Sequence, residues 1–189
     1  MYGFSSFHWD VAELAGPDRR AVEALDTASP PLPSAGYATL DPDGLLAAYR
    51  TLLHSDDVQA RGVALDQYTY AEAQGRWGNA NPLAAYDAEV LAEARAMLAV
   101  APGPALPLAV QRRVTACWNS ALGVMAFLTG DDGAADLPRI VEVLGAASAA
   151  DLLDDPYPFW ALEVRLVDAG APACERVGAW LAATAADPG

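Results

Sequence analysis

The chain has 189 residues, 53% of them hydrophobic, with 25 acidic against 11 basic side chains, no lysine, and a formal net charge of -14 at pH 7. Affinity for a phosphate backbone comes from Lys and Arg displacing counterions, so this balance sets nucleic acid aside as the expected partner. A chain of this length removes about 70% of its extended surface from water on folding, enough for one domain whose core needs neither disulfides nor structural metal.

Cys117 and Cys174 lie far apart, each inside an apolar helical pattern, and read as small buried hydrophobes. Residues 1–10 lack the basic and apolar regions of a signal peptide, and no run reaches the roughly 18 apolar residues of a membrane span. The expectation is a cytoplasmic protein with no membrane contact. Arg in place of Lys and abundant Ala fit a GC-rich bacterial coding sequence, which carries no functional weight.

Apolar residues recur at helical spacing nearly throughout, and no stretch alternates long enough for a strand, so the fold is expected to be all-α. Phe4, Phe7, Val11 and Leu14 form a first stripe ended by Gly16 and Pro17; a second short helix spans 18–28. Residues 29–40, with Pro30, Pro31, Pro33 and Gly36, form a crossing loop. Asp41 and Pro42 pair a cap with proline at the first helical position, opening a helix that buries Leu45, Leu46, Tyr49, Leu52 and Leu53. Asp56 is the expected cap of the next, which carries Val58, Gly62, Leu65 and Thr69 on one side.

Gly75, Gly78 and Asn79 break the chain around Trp77, and Asn81 and Pro82 restart it into a stripe of Leu83, Val90, Leu91, Ala94, Met97 and Leu98. After a loop over 102–107 comes the longest predicted helix, with Val110, Val114, Cys117, Trp118, Ala121, Leu122, Met125 and Leu128 in register. Leu137, Ile140, Val141 and Leu144 mark a short helix. Phe159 to Val167 are apolar almost all round, as in a central buried helix, and Pro172 starts a last one docked by Val177, Trp180 and Leu181.

Helix pairs with short connections point to stacked repeats, because one pair cannot bury its own stripe. The segment LLAAYRTLLHSDDVQARGVAL, residues 45–65, resembles a HEAT repeat: Asp57, Val58 and Arg61 stand where that family has its turn aspartate, inner valine and arginine. Weaker echoes occur over 107–122, with Val110, Arg113 and Ala116, and over 154–166. The resemblance implies a short, irregular α-solenoid over 41–189 behind an N-terminal cap over 1–40, one compact unit overall. The alternative is a compact multi-helix bundle.

Catalytic and metal-binding patterns are sparse. His8 and His54 have no second His three or four residues away, no phosphate-binding glycine loop precedes a Lys, and Ser120 and Cys117 fall in mid-helix. Asp131, Asp132 and Asp136 lack the alternating oxygens of a calcium loop and suit helix starts instead. Glu89 and Glu93 share a helix face and repel mildly unless a basic group lies opposite. The expectation is therefore no enzyme, no cofactor and no metal.

In HEAT-like arrays the second helix of each pair lines the concave wall, which implies a contact stripe of Gln59, Asp66, Tyr70 and Gln74 followed by Trp77. Gln111, Arg112, Thr115 and Asn119 continue it on the long helix, and Glu163 on a later one. Tyr, Trp and Arg are frequent interface anchors. The leading expectation is a module that binds a basic protein through this acidic, polar wall, an immunity or inhibitor protein for a basic toxin being one form. The alternatives are a small-molecule or enzymatic site formed by Asp66, Tyr70, Arg112 and Asn119 in the groove, or a structural subunit of a larger assembly. Oligomeric state is left open.

Overall fold

The computed structural model describes residues 11–28, 42–75, 81–99, 108–125, 128, 136, 138–143 and single positions at 170, 175, 178, 179 and 182; for 11, 26–28, 42, 73–75, 108–113 and 115 it describes only the backbone. The fold is all-α, with no strand among the described residues. A 3-10 turn, Val11–Glu13, precedes α1 (Gly16–Ala28), followed by α2 (Pro42–Leu53), α3 (Val58–Gly75), a second 3-10 turn (Ala84–Tyr86), α4 (Asp87–Leu98) and α5 (Leu108–Met125). Residues 138–143 are also helical. The expected loop over 29–40 and the helices after Pro156 and Pro172 lie outside the described residues, apart from those single positions.

Proline and polar caps set the helix starts. Pro42 opens α2, where its missing N–H costs nothing. The cap of α3 is Asp57, not Asp56: Asp57 Oδ1 accepts from Gln59 N at 2.8 Å, while Asp56 is exposed. Ser55 Oγ lies two residues back and accepts from Asp57 N at 3.0 Å, helping the chain turn between α2 and α3. Asn81 does not launch α4 directly. Its Oδ1 accepts from Leu83 N at 2.8 Å, closing a side-chain turn that leads through the 3-10 segment, and α4 begins only at Asp87.

Paired contacts give the direction of each helix relative to its neighbours. Asp66 meets Ser120 and Thr69 abuts Gly123, equal steps that run α3 and α5 in the same sense. Arg50 reaches Tyr86 and His54 reaches Glu89, so α2 and α4 also run in the same sense. Arg95 to Asp136 and Leu98 to Arg139 extend that layer to residues 136–143. Between the layers, Arg61 meets Glu93 and Tyr68 meets Asp87, so α3 and α4 run in opposite senses. The described helices thus form two layers, one of α2, α4 and 138–143 and the other of α3 and α5.

α1 packs on α2 and, with Leu14 just before it, places Ala21, Val22 and Leu25 in the same core as Leu52, Leu65, Val90, Leu122 and Ile140. The N-terminal segment is therefore continuous with the core where it is described. Ser55 Oγ donates to Asp18 Oδ2 at 2.7 Å and ties the start of α1 to the α2–α3 turn.

Between Val58 and Glu72, α3 has no exposed residue. A helix sequestered on every side is usually apolar all round, yet this one buries Gln59, Gln67 and Thr69. Its approach to α5 is close: a Cβ on Gly123 would stand 3.1 Å from Thr69 Oγ1, whose proton is already committed to Leu65 O at 3.1 Å. Gly123→Val is expected to push the two helices apart and cost about 1–3 kcal/mol, read as a lower urea midpoint. Thr69→Ala in the same chain should recover part of that loss.

Candidate functional site

The functional stripe expected from the sequence falls on α3 and α5, and the structure describes part of it. Asp66 and Tyr70 are one helical turn apart on α3 and half-buried, and Asn119 and Gln59 are buried, at 7% and 6% exposure. The side chains of Gln74, Arg112 and Thr115, with Trp77 and Glu163, lie outside the described residues. Asp66 Oδ1 accepts from Ser120 Oγ at 2.7 Å, so Ser120, expected to be structural, cross-links the two helices. The expectation of an open, solvated wall is corrected at Gln59 and Asn119. The close fit of the helices at Gly123 and the burial of both faces make this a covered polar seam.

Asn119 is the exceptional residue in the seam. Neither its Oδ1 nor its Nδ2 has a hydrogen-bond partner among the described residues, and both atoms are inaccessible to water. Leaving buried polar groups unpaired costs about 1–3 kcal/mol each, so native structures hold few of them. Asn119 and Gly123 lie four apart on one stripe of α5, beside Thr69 of α3. Among the described residues, Asp66, Thr69, Tyr70, Asn119 and Ser120 therefore stand on one side of this helix pair.

The remaining charged side chains hold helices together. Arg61 Nε donates to Glu93 at 2.7 Å and its Nη1 to Ser55 O at 2.7 Å. Arg95 grips Asp136 with two nitrogens, at 2.9 and 3.0 Å, the fork geometry that suits a carboxylate. Arg139 donates to Leu98 O at 2.6 Å and pairs with Glu142. His54 Nε2 lies 2.6 Å from Glu89 Oε2. Glu93 thus has the Arg61 guanidinium opposite it and Glu89 a hydrogen-bond partner in His54, so each carboxylate of the pair is held by a residue outside α4. These partners were out of reach of local sequence, because each lies more than 30 residues away.

A second polar cluster closes the far end of α3. The single proton of the Tyr68 hydroxyl goes to Asp87 Oδ1 at 2.6 Å, while Glu72 Oε1 at 3.3 Å is held by Asn81 Nδ2. Burial, with the two carboxylates beside it, raises the Tyr68 pKa far above its ordinary value. Tyr49, wholly buried with its ring 5.3 Å from that of Tyr86, is also raised, mainly by burial, and its hydroxyl has no hydrogen-bond partner among the described residues. Burial pushes the Cys117 thiol up from 9.0 to about 11, against a smaller lowering by Arg61, so it is a buried apolar group and not an activated nucleophile.

Compared with known proteins, the chain matches no family model, no curated protein and no solved structure. No described helix is long and apolar enough to cross a membrane.

The two tyrosines separate cleanly by experiment. Tyr68→Phe removes a hydrogen bond to a carboxylate and should cost about 1.5–3 kcal/mol, whereas Tyr49→Phe removes a buried, unpaired hydroxyl and should raise stability by about 1–3 kcal/mol. Cys117, Tyr49 and Tyr68 all have raised pKa values in the fold, so the unfolded chain loses these protons first and stability falls as pH rises. The urea midpoint should decline from about pH 9, where the unfolded thiol begins to ionise, and more steeply above about pH 10, where unfolded tyrosines do. Cys117→Ala should flatten the first part of that decline.

Proposed function

We propose that this chain is a non-enzymatic, acidic helical-repeat module that binds a basic protein, in the manner of an immunity or inhibitor protein in the cytoplasm. The observation that carries it is where the arginines go. Arg19, Arg50, Arg61, Arg95 and Arg139 each spend guanidinium hydrogen bonds on oxygens of the protein's own helices and turns. Even if all 11 basic residues were paired one to one, 25 minus 11 leaves 14 carboxylates without a basic partner. Such a field repels phosphate backbones and speeds encounter with cationic surfaces.

The same-sense running of α2 with α4 and of α3 with α5 supports the stacked-pair architecture implied by the HEAT resemblance. Arg61 supports it further, since it bonds both the α2–α3 turn and Glu93 of α4. In such a module the binding surface is the outer acidic faces, because the α3–α5 seam is covered at Gln59 and Asn119.

The test is capture of partners at low salt from the native cell, followed by reconstitution of each captured protein with purified components. A basic partner whose affinity falls at least tenfold between about 0.05 and 0.5 M salt is expected, because screening shortens the field from about 14 Å to about 4 Å. Binding that is indifferent to salt, or an absence of any basic partner, overturns the proposal.

A further inference from the structure

We propose that the seam between α3 and α5 is a binding site for a small neutral molecule bearing a carboxamide-like edge, with Asn119 as its recognition group. Asn119 is buried at 7% exposure, and both its amide oxygen and its amide nitrogen lack partners among the described residues. An amide in that state presents one acceptor and two donors side by side in a plane, and the group that satisfies both is another amide-like edge. An apolar ligand leaves both halves of Asn119 unpaired, and a purely cationic one leaves its NH2 unpaired.

The surroundings select among polar ligands. Asp66 holds its carboxylate on Ser120 Oγ at 2.7 Å, on the residue next to Asn119, and the chain carries a net charge of -14. A carboxylate ligand, isosteric with a carboxamide, meets like charge there, whereas a neutral amide does not. Thr69 has spent its proton on Leu65 O and stands where α3 touches α5 at Gly123, one turn along the stripe from Asn119. Asp66 and Tyr70, half-buried on α3, are the described members of the seam that water reaches.

The seam is also costly without a ligand. An unpaired amide at this depth is a stability cost of the kind that binding sites carry. The site differs from the acidic outer surface proposed for protein docking, and either can fail without the other.

Protein-observed nuclear magnetic resonance on the full chain tests it, following the Asn119 side-chain NH2 pair, assigned by triple-resonance methods, and the Trp118 indole N–H. Benzamide is the probe, with sodium benzoate as the charged isostere and toluene as the apolar one. Benzamide is expected to shift the NH2 pair saturably with a dissociation constant in the millimolar range, the ceiling for so small a ligand, and benzoate and toluene at least tenfold more weakly. Asn119→Leu removes both the donor and the acceptor of the amide and should abolish the saturable benzamide shift at Trp118. Asn119→Ala keeps that arm available should the leucine variant misfold. An NH2 pair unmoved by benzamide, one that shows only exchange with an internal water, or an undiminished Trp118 response in the folded variant overturns the proposal.

Discussion

The guanidinium of Arg61, on α3, ties α4 to the α2–α3 turn. Its Nε holds Glu93 of α4 and its Nη1 holds the carbonyl of Ser55 in the α2–α3 turn, both at 2.7 Å. Ser55 in turn donates to Asp18 of α1 and accepts from Asp57 N at the start of α3. Four helices therefore meet at one turn through a continuous set of hydrogen bonds, partly shielded from water, where such bonds are stronger than on an open surface. A planar cation with several fixed donors can serve a carboxylate and a carbonyl together, which a lysine does less well.

From that hub the helices can stack only in certain directions. With α3 and α4 opposed across Arg61 and Glu93, the next chain reversal returns α5 beside α3 in the same sense, and Gly123 lets the two approach within side-chain contact of Thr69. Arg95 and Arg139 repeat the device within the layer of α4 and 138–143, gripping Asp136 and the Leu98 carbonyl. The arginines act as ties between successive helices, and the excess of carboxylates is left to define the protein's field.

The interior shows a less usual choice. Most domains confine polar side chains to the surface or pair them completely. Here Gln59, Gln67, Thr69, Asn119 and Ser120 are all buried along α3 and α5. Tyr68 and Ser120 show how such groups are accommodated, each donating to a carboxylate on another segment. Asn119 shows the contrary, an unbalanced amide set beside Ser120 and Thr69, whose hydroxyls are satisfied.

Local sequence sufficed for whatever depends on neighbours within a few turns. Pro42, Asp57 and the apolar spacing from Val114 to Met125 encode helix starts and faces by steric and hydrogen-bonding rules that act within about four residues, and the all-α class follows from them. Even there Asp56 and Asp57 are a near tie, resolved by which carboxylate reaches Gln59 N once the turn is folded. Helix periodicity marks Asp66, Tyr70 and Asn119 as a polar stripe. It is silent on whether that stripe meets water or another helix, because burial is a property of what packs opposite. The partners of Glu89, Glu93, Arg95 and Ser120 lie 32 to 54 residues away along the chain, and only the closed packing of α2 to α5 brings them within hydrogen-bond distance.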